Sequence, residues 1–314
     1  MTDSVREQIA PERAARLMRL ATYASVSVAG FLICVKLAAW VTTDSVSLLS
    51  TLIDSLLDAM ASLVNLFAVS HALTPPDREH RFGHGKAEPL AALAQAAFIT
   101  GSAIFLLFEA GHRLIDPRPV AHSDVGIAVM LLAIVLTFGL TRFQAYVVKR
   151  SGSLAIAADS LHYIGDLLIN GAVIVALLLV SQLGWWAADP LFGIAIAGYI
   201  VFTAWKIARQ ALDMLMDREL PDEERRRIVE IVNAHPDVLD LHDLRTRASG
   251  PTVFIQLHLE MDGDMSLHKA HNVADAVEAE LRDAYPNAEI LIHQDPHGLE
   301  EEHLGAAPGH TAGF

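Results

Sequence analysis

Read for hydropathy alone, the first two-thirds of the chain is a series of long apolar runs separated by short polar ones. Six runs stand out, at roughly 17–41, 46–73, 88–112, 123–148, 154–182 and 188–212. About 20 apolar residues rising 1.5 Å each cross a bilayer as a helix, so each run predicts a membrane span. The third run is rich in small residues (Ala91, Ala92, Ala94, Ala96, Ala97, Gly101, Ser102, Ala103), a composition that lets helices pack closely in lipid. After Pro221 the period changes. Residues 222–234 put Ile228, Ile231 and Val232 at helical spacing, and 266–285 predicts a second helix. Residues 241–247 and 252–261 alternate like strands around a Ser249-Gly250-Pro251 turn, and 288–293 predicts a third strand. The order αββαβ predicts a small two-layer α+β domain with its helices on one face of the sheet.

Charge sharpens this division. The 314-residue chain is 53% hydrophobic with a mean hydropathy of +0.36, values that fit a membrane protein. Its net charge of −14 is unevenly spread. Residues 1–216 hold 16 acidic and 15 basic side chains, and residues 217–314 hold 21 and 8. The expected domains are therefore an N-terminal segment (1–16), a six-helix membrane domain (17–216), an acidic soluble domain (217–297) and a disordered tail rich in Gly, Pro and Glu (298–314). An acidic soluble domain excludes the basic footprint that nucleic acid requires and suits divalent cations. No GxxxxGK[ST] phosphate loop is present, so no nucleotide partner is expected.

The single Cys34 excludes a disulfide framework and a thiolate metal cage. The charged N-terminus lacks the basic n-region and cleavage site of a secretory signal and is read as retained. Six crossings put both termini on one side. That side carries Arg6, Arg13, Arg16, Arg19, Arg78, Arg81, Lys86, Lys149, Arg150, Arg209 and Arg218, and should be the cytoplasm. The other side carries mainly Arg113 and Arg118, with Lys36 able to snorkel. Trp185 and Trp186 fit an interfacial aromatic belt.

The chemistry lies where polar residues interrupt apolar runs. The fifth run carries Asp159, His162 and Asp166 on one helical face, and the second carries Asp54 and Asp58 one turn apart. Ionisable groups in lipid are costly and mark functional sites by default. Two carboxylates from one helix facing a His and a carboxylate from another make a tetrahedral divalent-metal site, Asp54, Asp58, His162 and Asp166. Oxygen and imidazole donors suit Zn²⁺ or Fe²⁺ and are borderline for Cd²⁺. Helix-packing pairs are the structural alternative. Because metal needs deprotonated ligands, binding would release protons, which links metal movement to a proton gradient. Asp159 shares the face nearer the cytoplasmic end, either as an entry or supporting residue or as a polar interface group.

Two further clusters are weaker from spacing alone. The loop 74–87 carries Asp77, His80 and His84, with Gly83 and Gly85 free to turn the backbone so that both imidazoles converge. A solvated polar loop remains open. The soluble domain carries His242, His258, His271, His293 and Asp295, with Gln294 nearby. A sheet edge and a helix can gather these around two metals bridged by a carboxylate, or they are scattered surface histidines.

Four stretches in order carry a family likeness: LIDSLLDAMASLVN in the second run, HRFGHGKAEPLAALAQ entering the third, ADSLHYIGDLLINGA in the fifth, and DLRTRASGPTVFIQLHLEM with ILIHQDP in the soluble domain. Over about residues 15–297 the chain resembles the cation diffusion facilitators, more narrowly their bacterial ferrous-iron/zinc efflux antiporters. The resemblance implies a homodimer in the bacterial inner membrane, six transmembrane helices and a ferredoxin- or metallochaperone-like cytoplasmic domain. It further implies export of divalent metal in exchange for protons. It makes Asp77, His80 and His84 a loop metal site. It makes His242, His258, His271, His293 and Asp295 a metal site at the dimer interface, where zinc or a similar ion is structural or regulatory. It also implies a salt bridge between Lys86 and Asp217. His268, His297, His303 and His310 match no motif and are read as surface residues, and Glu88 and Glu109 carry no assignment. The short KRSGS between the fourth and fifth runs replaces the His-rich loop of eukaryotic zinc members. Two other functions compete. An intramembrane metallohydrolase would need an open water position and a general base, but no HExxH occurs. A membrane-anchored metal sensor would have no use for charges inside its anchor.

Overall fold

A computed structural model describes residues 11–43, 46–116, 124–183, 185 and 187–298. The expectations for Arg6, the first interhelical loop at Asp44 and Ser45, Arg118, Trp186, and the tail with His303 and His310 lie outside these residues. The chain divides into two compact units, Met1–Leu215 and Met216–Phe314.

The first unit holds helices α1 (Pro11–Thr43), α2 (Val46–Ala72), α3 (Ala87–Ile115), α4 (Asp124–Ser151), α5 (Leu154–Leu183) and α6 (Ala188–Leu215), one for each apolar run. Among the described residues five stretches are long and apolar enough to cross a membrane: Glu12–Thr43, Thr51–Ala72, Ala87–Ile115, Val125–Ser151 and Ala188–Leu215. The sixth helix, α5, is 30 residues long and carries the charged triplet of the fifth run. Small side chains decide how closely the helices approach. Ala92, Ala96 and Ala103 of α3 pack with Ala197, Ala204 and Ala211 of α6, joined by Ile99, Ile200 and Ile207. A second cluster joins Met18 and Ala21 of α1, Val69 of α2, Val147 of α4, and Ala155 and Ile156 of α5. Large apolar side chains such as Phe67, Phe105, Val135 and Trp205 point outward, an arrangement that water disfavours and lipid accepts.

One expectation about charge changes, and one residue without an assignment gains a role. Lys36 does not reach away from the helices. Its Nζ donates to the Thr51 carbonyl at 3.1 Å and the Ser55 hydroxyl at 2.6 Å, tying α1 to α2. Glu88, given no role from sequence, is buried at the start of α3. Its carboxylate accepts from the Ser153 hydroxyl and from the backbone amides of Leu154 and Ala155. It thereby caps the N-terminus of α5, where unpaired amides and the helix dipole favour an anion.

The second unit is α7 (Asp222–Asn233), β1 (Asp240–Ser249), β2 (Thr252–Met261), α8 (Leu267–Ala284) and β3 (Ala288–Pro296), the αββαβ order expected from the pattern. The sheet order is β1-β2-β3; β1 pairs antiparallel with β2 and β2 parallel with β3. Alternation along β2 sends Ile255, Leu257, Leu259 and Met261 into one core with Ile228 and Val232 of α7 and Val273, Val277 and Leu281 of α8. Both helices therefore cover one face of the sheet. The even-numbered residues of β2, His258 and Glu260 among them, project from the other face.

Candidate metal centres

The first group lies inside the bundle. His162 is buried and its Nε2 lies 2.8 Å from Asp58 Oδ1 across the α2–α5 interface, and 3.9 Å from Asp166 Oδ2 one turn along α5. One donor atom from each of Asp58, His162 and Asp166 falls within 4.8 Å of the others. Asp54 is exposed and stands outside this group. The helix accounts for the difference. Asp54 sits one turn, about 6 Å along the axis, from Asp58, and the imidazole reaches only the nearer carboxylate. The Phe98 and Tyr163 rings flank the imidazole, with centroids 6.1 and 5.5 Å from it.

One turn toward the start of α5, Asp159 is fully buried. It accepts from Gln144 Nε2 of α4 at 2.7 Å, Ser25 Oγ of α1 at 2.8 Å, Gln95 Nε2 of α3 at 3.4 Å and Ser62 Oγ of α2 at 3.5 Å. The Tyr163 hydroxyl joins Ser62 at 2.9 Å and Ser25 at 3.3 Å. One carboxylate thus gathers donors from four other helices. Of the two roles open from sequence, the structure supports a helix-joining one. Sequence reasoning missed Ser25, Ser62, Gln95 and Gln144, because a lone polar residue in an apolar run does not announce its partner.

The second group is the loop between α2 and α3. Asp77, His80 and His84 each place a donor atom within 4.8 Å of the others. His84 Nε2 is 3.3 Å from Asp77 Oδ2, and His80 Nδ1 is 3.5 Å from Asp77 Oδ1. Asp77 Oδ1 also accepts the backbone amides of His80 at 2.7 Å and Glu79 at 2.9 Å. The His80 amide above all holds this carboxyl below the usual carboxylate range. Gly83, at φ 77°, makes the turn that brings His84 back toward Asp77. His84 Nδ1 lies 3.4 Å from the Thr74 carbonyl. When Nδ1 donates there, the Nε2 lone pair is left facing Asp77.

The third group lies on the uncovered face of the sheet. Strand register makes it. His242 of β1 is opposite His258 of β2, which is opposite His293 of β3, so three imidazoles form one row. Two residues along β2, Glu260 is opposite Asp295 on the same face. Asp295 is buried and serves all three rings: Oδ2 lies 2.8 Å from His258 Nδ1 and 3.5 Å from His242 Nε2, and Oδ1 lies 3.1 Å from His293 Nε2. His242, His258 and Asp295 form the tightest subset. A bulge follows immediately. Between His242 and Arg245, two residues of β1 oppose the single Leu257, with Asp243 in the left-handed region at φ 49°. Without that extra residue, either His242 or the rest of β1 would face the wrong way.

His271 is not gathered here. It lies on α8, exposed, 3.5 Å from Asp275, and α8 packs on the opposite face of the sheet. Glu260, given no role from sequence, stands beside the row instead, and the surface residue His297 pairs with it. Glu260 Oε1 lies 3.2 Å from His242 Nδ1, and Glu260 Oε2 accepts from His297 Nδ1 at 2.6 Å; His297 is exposed, as expected from sequence. The period-2 match of Glu260 with His258 was the available signal. Lys86 Nζ reaches the Leu215 carbonyl at 3.4 Å, and Asp217 lies 3.3 Å from Arg247 Nη1.

Residues 22–216 match the model of the cation efflux transmembrane domain, and residues 220–297 match that of the cation efflux protein cytoplasmic domain. The chain belongs to the cation efflux family. Among its relatives is the cation-efflux pump FieF of Shewanella oneidensis, 49% identical over 283 residues, covering 90% of this chain and 95% of the relative. FieF of Yersinia enterocolitica is 50% identical over 282 residues, covering 90% and 94%. The solved metal-bound C-terminal domain of the CzcD transporter from Thermotoga maritima is 28% identical and covers 26% of this chain and 100% of that one, with a TM-score of 0.25. This cation efflux protein is an integral membrane transporter rather than an enzyme. Its two family domains coincide with the helical bundle and the αββαβ unit.

Proposed function

We propose that this cation efflux protein exports a divalent metal ion from the cytoplasm in exchange for protons, with Zn²⁺ or Fe²⁺ as cargo and Cd²⁺ as a further substrate. The observation that carries the reading is the buried group Asp58, His162 and Asp166 at an interface of membrane helices. Charges in lipid without a task are costly. Asp54, one turn away on α2, supplies the fourth ligand that a tetrahedral ion requires. Metal binds the deprotonated ligands, so its arrival displaces the protons they hold, and its departure outward lets protons return. The two occupants exclude each other, and the proton gradient drives export without nucleotide.

Asp77, His80 and His84 bind a second, exchangeable ion in the cytoplasmic loop. In the cytoplasmic domain His242, His258, His293 and Asp295 hold one or two ions, the two oxygens of Asp295 suiting it to bridge them. His271 reaches such a site only from a second copy, since within one chain it lies on the far layer of the domain, and this favours a homodimer. Both termini lie in the cytoplasm of a bacterial cell, with the protein in its inner membrane.

The test is metal uptake by purified protein in liposomes, with Zn²⁺, Fe²⁺, Cd²⁺ and Mn²⁺ compared with and without an imposed pH gradient. Wild-type protein should move metal and protons in opposite directions, and His162→Ala should abolish both while inserting normally. Full exchange by His162→Ala, or metal flux indifferent to the pH gradient, would refute the reading.

A further inference from the structure

We propose that His71 is a fourth ligand of the loop site, so that an ion held by Asp77, His80 and His84 is also bound by the last turn of α2. This rests on the loop reading above and goes beyond it by joining the loop to a transport helix. His71 lies in the last turn of α2. Its ring centroid is 4.5 Å from that of His84, as close as His80 at 4.6 Å, with the rings steeply tilted at 61° and 49°; its donor atoms stand outside the 4.8 Å group of Asp77, His80 and His84, so it joins them by turning its exposed side chain. Two imidazoles on one tetrahedral ion are inclined in this way rather than stacked. His84 is buried between them while His71 and His80 are exposed, so core packing does not explain the position of His71.

The backbone holds the arrangement together. The Thr74 amide donates to the His71 carbonyl at 2.9 Å, and the Thr74 carbonyl lies 3.4 Å from His84 Nδ1. One residue therefore ties the end of α2 to the buried ring. Three protein ligands leave a tetrahedral ion open to water, and a fourth closes it, which is the form of a structural rather than catalytic site. A dication here also meets the negative end of the α2 dipole and its unpaired carbonyls. Asp58 lies on the same helix about 20 Å away along the axis. An ion at the loop would fasten residues 73–86 to the helix that carries the transport carboxylates.

The experiment uses full-length protein in detergent carrying Asp58→Asn, His162→Ala, His242→Ala, His258→Ala and His293→Ala, which remove every imidazole from the other two groups. Zinc titration calorimetry and zinc-edge X-ray absorption are then compared for this background, for His71→Gln and for His84→Ala. The expected result is three imidazoles in the background and two in His71→Gln, with zinc affinity weakened at least about tenfold. His71→Asp, which restores a ligand, should recover most of that affinity, and loss of fold would spare neither variant. Unchanged affinity and imidazole count in His71→Gln, with binding abolished by His84→Ala, would overturn the role of His71 while leaving the loop site standing. No zinc in the background at all would overturn both.

Discussion

Asp159 offers the sharpest test of how the bundle is held together. Removing its carboxylate by Asp159→Ala leaves the Gln144 and Gln95 amides, now 2.7 and 3.4 Å from it, without their acceptor. The hydroxyls suffer less, because Ser25, Ser62 and Tyr163 already lie 2.9–3.3 Å from one another and can pair among themselves. A buried donor left unpaired costs about 1–3 kcal/mol, so two amides put the loss at about 2–6 kcal/mol. Asp159→Asn keeps one acceptor oxygen and should cost about half as much. The loss belongs to the network and not to one residue, so Gln144→Met should hurt less in the Asp159→Ala background than alone. The coupling between the two should be about 0.6 kcal/mol, the average for hydrogen bonds between membrane helices, and no more than about 1.7. Reversible unfolding in mixed micelles, titrated with an anionic detergent, measures all four corners of the cycle. An Ala variant within about 0.5 kcal/mol of wild type, or strictly additive effects of the two substitutions, would refute the reasoning.

Glu88→Ala should uncap α5 and cost about 1–2 kcal/mol in the same unfolding assay, with Glu88→Gln milder because it keeps an acceptor; equal losses would contradict the capping role. In the cytoplasmic domain, Asp295→Ala should remove bound zinc as measured by elemental analysis, whereas Glu260→Gln, which disturbs the orientation of His242 and loosens His297, should weaken binding about 10–100-fold. Tyr285 is buried and donates to Glu224 Oε2 at 2.9 Å. Burial first, and then the neighbouring carboxylate, push its pKa above the ordinary tyrosine value. The folded pKa exceeds the unfolded one, so this contribution to stability is intact below about pH 10 and fades as pH rises past it. Circular dichroism melts of residues 217–297 should show an alkaline loss of stability that Tyr285→Phe blunts, with the variant about 1 kcal/mol less stable at neutral pH; equal alkaline slopes would count against it.

The positions of the six helices, the αββαβ order and the division near Met216 could be read from the chain because each depends on local hydropathy and period. His162 facing Asp58 was legible for the same reason, since charge in lipid permits few explanations. Tertiary structure alone decided the rest. Alternation along β2 assigns His258 and Glu260 to one face but says nothing of register, and only strand pairing and the bulge at Asp243 put His242, His258 and His293 in a row with Asp295 beside it. The choice of Asp58 over Asp54 as the partner of His162, the four donors around Asp159 and the capping of α5 by Glu88 likewise join residues from different elements. A sequence pattern reports which face a residue occupies on its own helix or strand; what that face meets is set by how the elements pack against one another.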